Sequence, residues 1–444
     1  MTDLPDGWEE RSIKDLFAFK YGKGLTQENR KAGGGLPVYG SNGVVGEHDQ
    51  AITIGPTIII GRKGSVGEVH FSAGACWPID TTYFIDQFPE TSPPTYWALY
   101  LRSLRLGQQD RSSAIPGISR EDIYRMKVAV PPVNEQRRIV AKLEEMLGKV
   151  DACQKRFAKV PMILKRFRQS VLAAACSGRL TEDWRERHPE AENASAVVEK
   201  LRQCRMGKAM SPAERQKLRE IYQRVEENDS DGLPASWRFT ALSKLCDSFA
   251  YGTSAKSKLS GQVPVLRMGN IQGGKIDWDD LVYTSDATEI RKYSLKPGTV
   301  LFNRTNSPEL VGKAAIYRGE MPAIFAGYLI RINPCEPLDS EYLNYCLGTD
   351  YAREFCLRVK TDGVSQSNIN AQKVGAFEVP LCSLQEQREI ARRIQTLFTL
   401  ADQIEARYQQ AKAQVDQLTQ SILAKAFRGE LVPTEAELAR RESR

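Results

Sequence analysis

The chain has 444 residues, 41% hydrophobic and 26% charged, a composition that suits two or three soluble domains with cores of their own. No run of about 18 apolar residues occurs, and the start Met1-Thr2-Asp3-Leu4-Pro5-Asp6 has neither a basic nor an apolar region, so no membrane span or secretory leader is expected and the cytosol is the expected compartment. Nine cysteines scattered singly and three histidines (His48, His70, His188) form no zinc or disulfide pattern, while a net charge of +7 suggests an acidic partner.

Residues 1–133 contain short β-rich runs such as Thr57-Ile58-Ile59-Ile60, many glycines and a helical stretch over 95–106, which predicts a mixed α and β domain. Residues 134–182 change texture. Apolar residues at Ile139, Leu143, Met146, Val150, Cys153, Phe157, Val160, Leu164, Phe167 and Val171 follow a 4-3-4-3 spacing. That is a heptad seam, whose narrow stripe needs a second helix to cover it. Pro161 removes a backbone hydrogen bond and is expected to kink or break this helix. The segment is basic, with eleven Lys/Arg against five Asp/Glu, where 1–133 has fourteen against fifteen and 233–384 seventeen against fifteen. Lys155, Arg156, Lys165, Arg166 and Arg168 either solubilise an exposed face or meet DNA or a partner.

Residues 183–232 are polar, with helix-forming runs at 197–204 and 212–225 closed by Asn228-Asp229-Ser230-Asp231-Gly232, and read as a helical connector with a flexible end. Residues 233–384 repeat the mixed texture, with a β-rich Ala323-Ile324-Phe325 and helical character over 340–358. Residues 385–433 carry a second seam at Ile390, Ile394, Leu397, Ala401, Ile404, Tyr408, Ala411, Val415, Leu418 and Ile422. Residues 434–444 form a charged tail expected to fray.

The chain says the same thing twice. Leu4-Pro5-Asp6-Gly7-Trp8 returns as Leu233-Pro234-Ala235-Ser236-Trp237, and Tyr21-Gly22 as Tyr251-Gly252. Glu135-Gln136-Arg137 returns as Glu386-Gln387-Arg388, and Gln169-Ser170-Val171-Leu172-Ala173 as Gln420-Ser421-Ile422-Leu423-Ala424, both displaced by 251 residues. Every seam position carries over at that displacement, so two helices of equal length are expected to pair, antiparallel. At about 40 residues each they would span about 60 Å. Gly178 and Gly429 stand where left-handed C-caps belong.

The Leu-Pro-x-x-Trp domain start, the Pro-x-x-x-Glu-Gln-Arg-x-Ile helix start at 131–139 (spaced slightly longer at 380–390) and the Gln-Ser-[Val/Ile]-Leu-Ala…Gly-x-Leu helix end closely resemble the specificity subunit of type I restriction-modification systems. The resemblance covers nearly the whole chain. It implies two target-recognition domains, each reading one half of a bipartite, asymmetric site in double-stranded DNA, on paired helices that set the gap. It also implies two adenine methyltransferase subunits and two motor-nuclease (restriction/translocase) subunits as partners. The expected fold is thus α+β, a pseudo-twofold repeat of domain, helix, domain, helix, with half-sites about a helical turn (~34 Å) apart.

Groove reading requires cationic, amide or hydroxyl side chains on accessible loops. Two stretches per domain fit. In the first they supply Arg62, Lys63 and Ser65, then Arg111, Ser112 and Ser113. In the second they supply Arg304, Thr305, Asn306 and Lys313, then Lys360, Thr361, Gln366 and Asn368. Their glycines would let backbone approach phosphate closely.

No catalytic centre is expected. Ser92-Pro93-Pro94-Thr95-Tyr96 lacks the amide or carboxylate of an adenine methyltransferase loop, and Gly269-Asn270-Ile271-Gln272-Gly273-Gly274-Lys275 has P-loop spacing but Ile276 in place of the magnesium-binding hydroxyl. Asp279-Asp280 has no histidine nearby. No cofactor or metal is therefore expected on this chain, and S-adenosylmethionine, ATP and magnesium are implied for the partner subunits. The second reading is a coiled-coil scaffold whose globular domains bind protein.

Overall fold

The computed structural model describes residues 4–108, 118–228, 232–364 and 366–443. The chain forms two compact units, 1–159 with 407–444, and 160–406. Each combines one globular domain with part of both long helical segments. No described helix is long and apolar enough to cross a membrane.

The domain of the first unit is closed at its neck by Glu9–Ser12 pairing antiparallel with Lys127–Val130. Inside it, a four-stranded sheet runs in the order Lys20–Tyr21, Thr82–Ile85, Thr57–Gly61, Val69–Ser72. A three-stranded sheet runs Gly43–His48, Leu36–Gly40, Trp77–Pro78, the last pair parallel. Ile58, Ile59 and Ile60 are fully buried, which is why this run is continuously apolar and does not alternate. Helix Pro94–Ser103 contributes Tyr96, Trp97 and Leu101 to the same core.

The domain of the second unit uses the same plan. Arg238–Ala241 pairs with Glu378–Leu381. The four-stranded order is Cys246–Tyr251, Leu329–Pro334, Thr299–Asn303, Ala314–Tyr317. The three-stranded order is Val282–Thr284, Val263–Leu266, Ile324–Phe325, again with the last pair parallel. Helices Ser340–Leu347 and Asp350–Val359 occupy the expected helical stretch, divided at Gly348 and Thr349. The Gly269–Lys275 stretch is a 3-10 turn followed by the hairpin Ile271–Gln272 and Lys275–Ile276, with no helix N-terminus to cradle a phosphate.

The first long segment is two helices, Val133–Phe157 and Val160–Cys176. Pro161 stands as the second residue of the latter, where no backbone donor is needed, and its ring would collide with the carbonyl four residues back if the helix ran on. The second segment is one 43-residue helix, Leu384–Ala426, in which Lys412 forms a pair at 2.8 Å with Asp416. Within the first unit Phe157 meets Tyr408 edge-on and Gln154 bonds Asp416 at 3.1 Å, while in the second unit Arg168 pairs with Asp402 at 2.7 Å and Glu405 at 3.0 Å.

The seam is not uniformly buried. Ile139, Leu143 and Val150 join the first unit's core, Ile390 and Ile394 the second's, and Leu164 is buried as well. Phe157 and Leu397 are half-buried, but Ile404 (44%) and Leu418 (45%) are exposed, which corrects the reading of a continuously covered stripe. Leu164 and Ala401 are buried although neither belongs to a domain core, so burial along the seam varies from one position to the next.

One further reading is corrected. The tail forms a helix, Glu435–Glu442, started by a capping box of Thr434 and Glu437 and tied down by Arg138–Glu435 and Arg440–Asp6 pairs, both 2.6 Å. The connector folds into Ala194–Lys208 and Pro212–Gln223, and Val197 and Leu201 enter the second domain's core. Its end is held up to Asn228, because Glu378 accepts the Glu227 and Asn228 amides at 2.6 and 3.0 Å; residues 229–231 lie outside the described residues.

Candidate nucleic-acid interface

The repeated motifs turn out to be one another's partners. The Trp8 amide closes a turn on the Pro5 carbonyl, and the indole Nε1–H then donates to Glu135 Oε1 at 2.9 Å. In the second unit the Trp237 amide bonds the Pro234 carbonyl and Nε1–H donates to Glu386 Oε2, also at 2.9 Å. Both carboxylates are buried and need partners to offset desolvation. Glu135 takes a second bond from the Glu435 amide at 3.1 Å, and burial still raises its carboxyl above the usual range. Glu386 accepts from Thr181 Oγ1 at 2.7 Å and pairs with Arg185 at 2.6 Å, whose guanidinium also lies over the Trp237 ring.

The helix-end glycines complete each clamp. Gly178 (φ +76°) and Gly429 (φ +78°) take the left-handed conformation, and a Cβ there would stand 2.4 Å from Pro234 Cγ and 2.7 Å from Pro5 Cγ respectively. Each domain start is therefore seated on the start of the helical segment that follows it and on the end of the other.

With the frame fixed, the candidate contact residues fall as follows. Arg62 directly follows strand Thr57–Gly61, donates to the Asp80 carbonyl at 3.0 Å and lies over the rings of Tyr21 (5.4 Å) and Tyr83 (5.8 Å). Lys63 is exposed and Ser65 half-buried on the loop that follows. Arg111, Ser112 and Ser113 lie outside the described residues. The loop glycines serve the fold: a Cβ on Gly61 would meet the Ser65 carbonyl and one on Gly67 the Gly107 amide, each at 2.0 Å. Gly61 and Gly67 are thus required by the packing of the loop itself.

In the second domain the two stretches form a single surface. Thr305–Asn306 pairs with Ser367–Asn368, which pairs with Thr361–Asp362, so Arg304, Asn306, Thr361, Gln366 and Asn368 are gathered on a small three-stranded sheet and its turn. Gln366 and Thr361 are exposed, and Asn306 and Asn368 half-buried. Thr305 is only 6% exposed and its hydroxyl donates to Asn368 Oδ1 at 2.6 Å, so it braces the sheet and is withdrawn from contact. Lys360 bonds Asp362, and Lys313 bonds Gln272 at 3.1 Å, lining with Lys165, Arg168 and Arg353 a cavity of about 730 Å³.

Three participants escaped the sequence reading of contacts. Tyr21 and Tyr251 carry Arg62 and Arg304 on their rings, the latter at 4.8 Å, and Arg120 lies over Tyr21 at 5.5 Å. The recurrence of Tyr-Gly was visible, but only the fold brings those rings under the arginines. The methyltransferase-like Ser92–Tyr96 stretch is structural: Ser92 bonds Gln136 and accepts from Trp97 Nε1, and helix Pro94–Ser103 begins there.

A profile of the type I restriction modification DNA specificity domain matches residues 5–160 and 234–413. The type I restriction enzyme EcoKI specificity subunit of Escherichia coli (strain K12) is 30% identical over 311 residues, 69% of this chain and 58% of its own length. The EcoDI specificity subunit of Escherichia coli is 26% identical over 431 residues, 96% of this chain and 89% of its own. Among solved structures, a chain from work on complex assembly and conformational transition of the type I R-M system superposes with a TM-score of 0.67 at 17% identity, covering 97% of this chain and all of that one. The HsdS subunit from Thermoanaerobacter tengcongensis gives 0.55 at 18% identity, covering 96% and 98%. These two show the fold. The profile matches and the aligned relatives together show that the chain belongs to the type I restriction-modification DNA specificity domain family.

Proposed function

We propose that this chain is the DNA sequence-recognition subunit of a type I restriction-modification complex, one domain reading each half of a bipartite, asymmetric site. The observation that carries the reading is that two domains share one strand order while the side chains at equivalent places on it differ, Arg120 standing where the second domain has Ala371 for example. A common frame with different surfaces suits one task performed on two sequences. The long helices pair as an antiparallel coiled coil that sets the gap between half-sites; within the first unit the Gln154–Asp416 and Phe157–Tyr408 contacts support that sense of pairing.

The chain is non-catalytic in this reading and docks two adenine methyltransferase subunits and two restriction/translocase subunits. S-adenosylmethionine, ATP and magnesium bind those subunits. The hairpin at Gly269–Lys275, where Lys275 lies 3.4 Å from Asp402, supports the absence of a nucleotide site here.

Base-resolution sequencing of methyladenine in host DNA, with and without this gene, tests the proposal. Loss of methylation at one gapped, two-part motif is expected. An unchanged map in a host whose associated methyltransferase is active would instead favour a protein-binding scaffold.

A further inference from the structure

The sheet registers identify positions of the two domains that correspond in space. In the first, Gly61 pairs with Thr82 and Tyr21 with Tyr83; in the second, Asn303 pairs with Leu329 and Tyr251 with Ile330. Arg62 and Arg304 each follow the strand end so defined, and each main-chain amide bonds the equivalent carbonyl, Thr81 at 2.9 Å and Tyr328 at 3.0 Å. Their guanidinium groups also reach equivalent carbonyls, Asp80 and Gly327, and each stacks on the equivalent tyrosine. One Tyr–Arg pair is thus built twice on the same spot.

Its surroundings do not match. Ser119 caps the short helix Arg120–Tyr124 and Asn370 caps Ala371–Gly375, so Arg120, over Tyr21, stands where the second domain has Ala371, whose amide donates to the Tyr251 hydroxyl at 3.0 Å. Among the described residues neither Arg62 nor Arg304 forms an ion pair, and neither Nε has a hydrogen-bond partner. Tyr21 and Tyr251 are 53% and 43% exposed, so each pair stands at the surface. A guanidinium fixed by a ring and a carbonyl, and left without a counter-charge, is preorganised for an external anion.

We infer that Arg62 and Arg304 are a matched pair of DNA phosphate anchors, with Tyr21 and Tyr251 as their positioning residues. This rests on the DNA-reading function proposed above. Two domains that read different bases still meet the same backbone, so a constellation kept in both suits the shared element, whereas the divergent neighbours suit the bases. Arg62 and Arg304 therefore set where each domain sits on the duplex without contributing to its sequence preference.

The test measures the affinity of this chain, assembled with its methyltransferase subunits, for duplexes with and without the methylated motif, over a salt series. Arg62→Gln and Arg304→Gln should each weaken binding to both duplexes and flatten the dependence of log K on log salt by about 0.9, one phosphate's worth. Arg62→Lys and Arg304→Lys should restore the slope, which a folding defect at the site would not allow. A slope unchanged in the Gln variants, or a change of the recognised base at one position, would overturn the anchor while leaving DNA reading intact. Wild-type assembly that fails to prefer the motif duplex would overturn the DNA reading itself.

Discussion

Trp8 and Glu135 are 127 residues apart in sequence and Trp237 and Glu386 are 149 apart, yet each pair is joined by one buried hydrogen bond. The sequence shows these residues as repeat anchors, because they recur; it does not show that they touch, since a long-range contact leaves no spacing rule. Replacing Trp8 with Phe keeps most of the apolar area and removes the donor, leaving Glu135 Oε1 buried without it at a cost of about 1–3 kcal/mol. Trp237→Phe should cost less, because Glu386 retains Thr181 and Arg185. Hydrogen exchange, read separately on the amides of each unit, measures both; an equal or reversed order would mean that Arg185 does not stabilise its carboxylate. The contact residues were legible only as residue types. Arg62, Arg304 and Gln366 are found on accessible surface, but the same criterion admitted Thr305, which the strand register turns inward.

At the scale of the element, periodicity announced the helices and Pro161 announced the break at Phe157–Val160. Periodicity could not say which parts of the seam are sealed, since that depends on what packs at each position, and Ile404 and Leu418 are exposed. Charge misled at the tail. Thr434 and Glu437 form a capping box that was readable in Thr434-Glu435-Ala436-Glu437, but the run of charges around it resembles a solvated end. The proposed ruler follows from the helix pair. Gln154 faces Asp416, so one heptad inserted beside each keeps the seam in phase and lengthens the pair by about 10 Å. The gap between half-sites should then grow by about three base pairs at ~3.4 Å each, with both half-sites unchanged. Methyladenine sequencing reads this directly, and an unchanged gap would sink the ruler.

For the whole molecule, the two-part plan was readable because duplication leaves anchors at a constant displacement, while the sheet topology behind it was not, since its short strands carry no pairing code. That topology says where a domain can be exchanged. The strand pair Glu9–Ser12 with Lys127–Val130 closes the first domain at its neck, and residues 131–132 separate it from helix Val133–Phe157. A graft replacing residues 1–130 with the domain of another family member would bring its own Leu-Pro-x-x-Trp turn, whose proline and indole would meet Gly429 and Glu135 supplied by the recipient chain. The frame contacts of the second unit, Trp237 with Glu386 and Pro234 against Gly178, involve none of the exchanged residues. Exchange should therefore alter one half of the methylated motif and leave the other half as it was. If both halves change, recognition is not divided between the domains, and the two matching surfaces must act on a shared stretch of DNA.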